Sequence, residues 1–380
     1  MFTSAPILII VKKIHQKGFK WFRERLFQEF RTPQTSLGKK ILWCNKLIYS
    51  LMPSGKINKD KSNLYLFYDL DILPITFDIS WILCLAEVCR QHLHLPSLKV
   101  IFVPGNFEGM RQENPEYDLI INSELRHWRK RNILISMLAL LPSCKSFTYC
   151  ANRKEAEIIR SKFAHYVCPF SYQTLFPTSI QANDLYNLSS PDVMALRATP
   201  ASLTYIKKWL NSKTKDKKII TITLRQYDYM PKRNSNITAW ENFTKKIDSS
   251  LYYIIIVPDT EASLQLPSPA FDALTYCIEA CWNIELRMAL YESSFLNLGI
   301  NNGPFALCWL NKMCRYIMFK IHTEAVTQTN RETFEKLGLP FGSAPKFLTT
   351  FQKWVWKDDN EAVLLEEFNN MCNKIANTTI

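Results

Sequence analysis

What most constrains this chain is a unit repeated from residue 64 onward: a short apolar strand, a loop, then a helix. Strands are expected at residues 64–68, 99–103, 146–150, 219–224, 252–257, 295–300 and 315–319. Helices are expected at 78–91, 126–141, 153–163, 203–210, 237–246, 271–282 and 304–311. Short apolar strands alternating with helices predict parallel sheets covered on both faces. The alternation breaks between Pro169 and Lys218, a stretch rich in Ser, Pro, Asn and Thr. The predicted class is therefore α/β, with two doubly wound, Rossmann-like domains facing a cleft. The expected divisions are a basic arm at 1–62, a first βα domain at 63–170 and a connection at 171–217. A second βα domain follows at 218–358. Residues 359–380 are read as an amphipathic helix with Leu364, Phe368, Met371 and Ile375 on one face.

Two loops in the second half carry chemistry. Asn301, Asn302 and Gly303 join a strand to a helix opened by Pro304, which suits a first helical position. A small-residue loop running into a helix N-terminus gathers free N–H groups and suits a phosphate or another anion. The plainer reading is an ordinary βα turn. Upstream, Arg225 stands where strand 219–224 ends, and Arg233-Asn234-Ser235-Asn236 precedes the helix at 237. Ligands of open α/β sheets bind beyond the carboxyl ends of strands. The arginine fork matches phosphate oxygens in pairs. The competing reading of Arg225 is a surface pair with Asp228.

Composition excludes several classes. Nine glycines, with no G-x-G-x-x-G or P-loop signature, disfavour Rossmann dehydrogenases and P-loop NTPases. The cysteines have no C-x-x-C spacing and the six histidines no zinc spacing, so no metal site is expected. Residues 1–61 hold thirteen Lys/Arg and three Asp/Glu; 13 − 3 gives +10 of the chain's net +13. Trp21, Phe22, Leu26, Phe27 and Phe30 interleave with these cations, a pattern suited to an anionic membrane surface. Residues 5–11 are too short to span a bilayer. Binding of nucleic acid, or a solvated arm, are the other readings of such a segment. No nucleic acid is expected as a partner, and the protein is expected in the cytoplasm, peripheral on the inner face of the membrane.

These residues resemble a known architecture. Two sheet domains, of which the C-terminal one carries Arg and Asn-Gly loops, are similar to GT-B glycosyltransferases. Asn302-Gly303-Pro304 is similar to the D-[ST]-G-P loop by which heptosyltransferases hold the donor diphosphate. Arg225 is similar to an Arg of the H-x-R-R motif of GT-B fucosyltransferases. Over residues 63–358 the chain also resembles uncharacterised bacterial proteins encoded with surface-polysaccharide genes. It departs from the motifs: Asn301-Asn302 replaces the acidic pair, and Leu224-Arg225-Gln226 carries one Arg.

The resemblance implies metal-independent transfer of a sugar from a nucleotide-diphosphate donor, the co-substrate, to a glycan or lipid-linked acceptor. Arg225, Arg233, Asn234, Ser235 and Asn301 to Pro304 would hold the donor, with Asp259 and Thr260 on its ribose or base. No other cofactor is implied. The loop after the first strand offers Asp78, and less favourably Asp71, as the base that takes the acceptor proton. Asp78 could instead be only a helix N-cap, and Glu285 with Arg287 a structural ion pair. Two rivals stand beside this reading. Asp69-Leu70-Asp71 matches the D-x-D of metal-dependent GT-A transferases, and a GT-B-like protein could bind sugars or partners without catalysis.

Overall fold

The computed structural model describes residues 62–170, 172–264 and 269–378, with isolated positions 15, 18, 36 and 40. Apart from those positions and residue 62, the basic arm expected at 1–62 lies outside the described residues. The chain divides into two compact units, and the division does not follow chain order. Among the described residues, one unit comprises 62–73, 95–112 and 146–179. The other comprises 74–94, 113–145 and 180–378.

The first sheet contains β1 (Asn63–Asp69), β2 (Ser97–Val103), β3 (Cys144–Tyr149) and β4 (Val167–Cys168), in the order β3-β2-β1-β4. β1 runs parallel to both β2 and β4. Six of its seven residues are buried, as a strand covered on both faces requires. Tyr65, Phe67, Ile101, Val103 and Tyr172 form one core, in which Phe67 and Tyr172 stack at 4.6 Å.

The second sheet has six strands: β5 (Lys218–Thr223), β6 (Tyr252–Val257), β7 (Thr275–Tyr276), β8 (Leu296–Ile300), β9 (Tyr316–Phe319) and β10 (Gln352–Trp354). Their order is β10-β9-β8-β5-β6-β7, with parallel pairing throughout. Register aligns Ile256, Ile222, Leu298 and Ile317 in one row across four strands. All four are fully buried, each contributing about 1.5–3 kcal/mol of apolar burial. The helix Glu361–Thr378 lays Leu364, Phe368, Met371 and Ile375 on this core. The opposite face of β5 carries hydroxyls. Thr221 bonds Ser294 at 2.6 Å and Thr223 bonds Tyr291 at 2.7 Å, so neither is left unpaired in the core.

Several helices differ from expectation. Residues 271–282 hold a turn at Pro269–Phe271, the edge strand β7 and a short helix Glu279–Trp282. β-favouring Thr275 and Tyr276 pair with β6 there instead of coiling. Residues 126–141 begin as the α-helix Ser123–Arg129, then widen to a π-turn at Lys130–Ile135 and tighten at Leu138–Leu140. The helix Ile284–Ser293 was not foreseen. Its buried residues include Ile284, Arg287, Met288, Ala289, Leu290 and Tyr291, which leave no apolar stripe to detect.

Candidate functional site

The site grows from the carboxyl end of β5. Arg225 donates its backbone N–H to the Ser235 hydroxyl, and Ser235 returns its own N–H to the Arg225 carbonyl, both at 2.9 Å. This clasp closes the loop. Inside it lies the Arg225 guanidinium, with the residue only 7% exposed. It donates to the Met230 carbonyl at 3.1 Å, to the Tyr229 carbonyl and to Asn234 Oδ1. Asn234 also accepts the Tyr227 N–H and donates to the Tyr227 carbonyl. Met230 takes a left-handed backbone, φ 58°, to present its carbonyl. Arg225 is thus a strut of its own loop, and among the described residues it makes no ion pair with Asp228. Burial lowers its pKa, opposed by Asp259 and Tyr227.

Arg233 is placed differently. Its Nη2 donates to the Asn301 carbonyl at 3.0 Å, at the end of β8. Burial, aided by the Arg225 charge, pushes its pKa down to about 10, while Asp78 and Tyr229 oppose the shift. The main cause is desolvation, which penalises the charged guanidinium.

Beside it, Asn301 is fixed by its N–H to Phe319 and its amide to Ile321. The Asn302 side chain accepts the Phe305 N–H at 2.9 Å. Gly303 is exposed, and the Phe77 ring rests against it: a Cβ there would stand 3.0 Å from Phe77 Cδ2. Among the described residues the N–H groups of Asn302 and Gly303 have no acceptor. The helix expected at 304–311 is the single turn Ala306–Trp309, with Pro304 before it. One turn carries little macrodipole, so this helix adds little positive potential to the loop.

Asp78 precedes the helix Ile79–His92 but makes no capping bond. Its exposed carboxylate instead accepts from the Thr76 hydroxyl at 2.7 Å and the Trp81 indole at 3.3 Å. Phe77 on Gly303 and the field of Asp78 at Arg233 tie this carboxylate to the same site.

No protein-family model matches this chain, and no curated protein does. Solved structures do. The chain is similar to the glycosyl transferase family 9 protein from Veillonella parvula DSM 2008, at 7% identity and TM-score 0.45, over 70% of this chain and 82% of that one. It is similar to E. coli ADP-heptose lps heptosyltransferase II at 10% identity and TM-score 0.49, over 83% and 99%. It is similar to the fucosyltransferase NodZ from Bradyrhizobium at 10% identity and TM-score 0.29, over 66% and 94%. At such identities the roles of residues have to be read from this chain alone.

Other expected residues take supporting positions. Asp259 accepts the N–H groups of Gln226 and Thr260, joining the end of β6 to the end of β5, and burial raises its pKa. The Thr260 hydroxyl reaches the Cys281 carbonyl at 3.4 Å. Glu285 and Arg287 form no ion pair among the described residues. Glu285 accepts from Thr199, while buried Arg287 donates to the Ala280 carbonyl and the Tyr291 hydroxyl. Two cations were missed. Arg129 donates to the Tyr227 hydroxyl at 3.0 Å, and Lys320 to the Asn234 carbonyl at 3.0 Å. A basic residue directly after strand 315–319 was the available signal for Lys320.

The first unit accounts for Asp69 and Asp71. Asp69 is fully buried; Arg153 donates to both its oxygens at 2.9 and 2.8 Å, and Tyr172 adds a bond of 2.6 Å. Asp71, also buried, accepts from the backbone and side chain of Asn106. Arg153 thus occupies the oxygens a D-x-D cation would need. Among the described residues no group of three or more His, Cys, Asp or Glu is gathered for a metal.

Proposed function

We propose that the protein is a glycosyltransferase that moves a sugar from a nucleotide-diphosphate donor to a glycan or lipid-linked acceptor of a surface polysaccharide, without a metal. The observation that carries this reading is Arg233, whose guanidinium donates to the Asn301 carbonyl beside the exposed Gly303. Transfer breaks the bond between the anomeric carbon and the diphosphate oxygen, and negative charge builds on that oxygen. Preorganised donors lower the barrier to such a step. Arg233 and the N–H groups of Asn302 and Gly303 supply them, with Arg225, Asn234 and Ser235 holding the loop in shape. Asp78 is the group proposed to accept the proton of the attacking hydroxyl, kept in place by Thr76 and Trp81. Asp259 and Thr260 would border the ribose.

The test is donor turnover and nucleoside-diphosphate binding in the presence of EDTA, for the parent and Asp78→Asn. Binding should survive EDTA. Asp78→Asn should keep donor affinity and melting temperature but lose about 10²–10⁴ in rate, the usual worth of a general base. Parental turnover in Asp78→Asn, or binding abolished by EDTA, would contradict the reading.

The basic arm at 1–61 is proposed to hold the protein on the inner face of the cytoplasmic membrane. Among the described residues no helix is long and apolar enough to cross a membrane. Deleting residues 1–61 should abolish co-sedimentation with anionic phospholipid vesicles at low salt. Undiminished sedimentation of the shortened protein would refute it.

A further inference from the structure

We infer that Lys320 is a positioning residue of the anion site, acting through Arg233; the inference rests on the donor reading above. Register pairs Ile300 of β8 with Phe319 of β9, so Lys320 follows its strand at the same level as Asn301. Lys320 adopts φ 50°, a left-handed conformation that a side chain makes costly and glycine would adopt freely. Its own N–H is fixed by the Lys357 carbonyl at 3.0 Å. The side chain, only 16% exposed, turns back toward β5, where Nζ donates to the Asn234 carbonyl.

That carbonyl belongs to the turn that carries Arg233. Two bonds therefore link the β5 loop to the ends of the two strands β8 and β9, in opposite directions. Arg233 reaches from the β5 loop to Asn301 after β8, and Lys320 reaches from the end of β9 to Asn234 in the β5 loop. Asp359 is the remaining partner of Lys320, at 3.8 Å. Its other oxygen accepts from the Asn236 N–H and the Trp240 indole, at the start of the helix Ile237–Lys246. Lys320 thus ties the Asn234 carbonyl to an anchored carboxylate. Without the ammonium the turn loses one of the bonds that fix where Arg233 points. A guanidinium displaced by even a fraction of an ångström loses much of its value as an anion donor.

The experiment measures pyrophosphate affinity by calorimetry, together with melting temperature, on the full chain. The variants are Lys320→Met, Lys320→Arg, Lys320→Gly, Arg233→Ala and the pair Lys320→Met/Arg233→Ala. Lys320→Met should weaken binding about tenfold, the scale of one charge-assisted bond. Lys320→Arg should restore most of it. Lys320→Gly, relieved of the left-handed strain, should bind as weakly as Lys320→Met; it carries the test if Lys320→Met folds poorly. The paired variant should bind no more weakly than Arg233→Ala alone, because the two residues act in series. A purely structural lysine would lower melting temperature and leave the affinity of the folded protein unchanged. Binding by Lys320→Met within about twofold of the parent, or losses that multiply in the pair, would overturn the positioning role alone. A parent that does not bind pyrophosphate would overturn the donor reading and this inference with it.

Discussion

Alanine at Arg225 should lower the melting temperature by roughly 6–12 °C and remove measurable pyrophosphate binding. The buried guanidinium serves Met230, Tyr229 and Asn234. Losing it removes a charged donor from three acceptors inside a closed loop, of which Asn234 Oδ1 keeps the Tyr227 N–H. Bonds from a charged donor are each worth about 1.5–3 kcal/mol, and water entering the emptied space recovers part, so a net loss near 3 kcal/mol is expected. For a body of this size each kcal/mol corresponds to about 2–4 °C. Arg225→Lys should recover little, because one ammonium cannot span three acceptors that a planar fork reaches together. A surface pair with Asp228 would instead contribute less than about 1 kcal/mol. Calorimetric melting of the two variants and of Asp228→Ala decides the matter: a normal melt for Arg225→Ala would refute the strut.

Valine at Gly299 should destabilise the protein by about 2–3 kcal/mol, although valine is the better strand residue. Gly299 lies within β8, where a Cβ would stand 2.8 Å from two carbons of the Phe305 ring and 3.2 Å from the Thr223 carbonyl. Neither neighbour has room to retreat: Phe305 is fully buried, and Thr223 pairs with Val257 and with Gly299 itself. Displacing Phe305 also pulls on the Asn302 turn, so anion affinity should fall with stability. Denaturant unfolding of Gly299→Val measures the first effect. Adding Phe305→Leu should return part of the loss, and a Gly299→Val protein as stable as its parent would show that the ring is not confined there.

Strands and helices with a strong local pattern were legible. Residues 252–257 and 237–246 are found as Tyr252–Val257 and Ile237–Lys246, and Asn236 caps the latter by accepting the Ala239 N–H. β4, β7 and β10, of two or three residues each, were not foreseen; so few residues show no period, and these strands exist only because a longer strand lies beside them. The site divides in the same way. Arg225 at a strand end could be located from sequence, but its partners depend on a loop closing through Ser235. Lys320 becomes meaningful only once β9 is known to lie beside β8. Asp78 has the residue type of a cap, yet its carboxylate is turned to Thr76 and Trp81, a choice of rotamer that residue type does not encode.

The interleaving of the two units limits how this protein can be taken apart. Each unit draws on three separate stretches of chain. A fragment ending near residue 170 would carry 74–94 and 113–145 without the sheet they belong to. It would leave Ile82, Leu83 and Leu85 of the helix Ile79–His92 seeking other apolar surface. The complementary fragment would lack Phe77 and Asp78 altogether. Halves exchanged at the connection between two such proteins should therefore misfold or aggregate. New pairings of the two units would have to be made by grafting loops onto an intact scaffold.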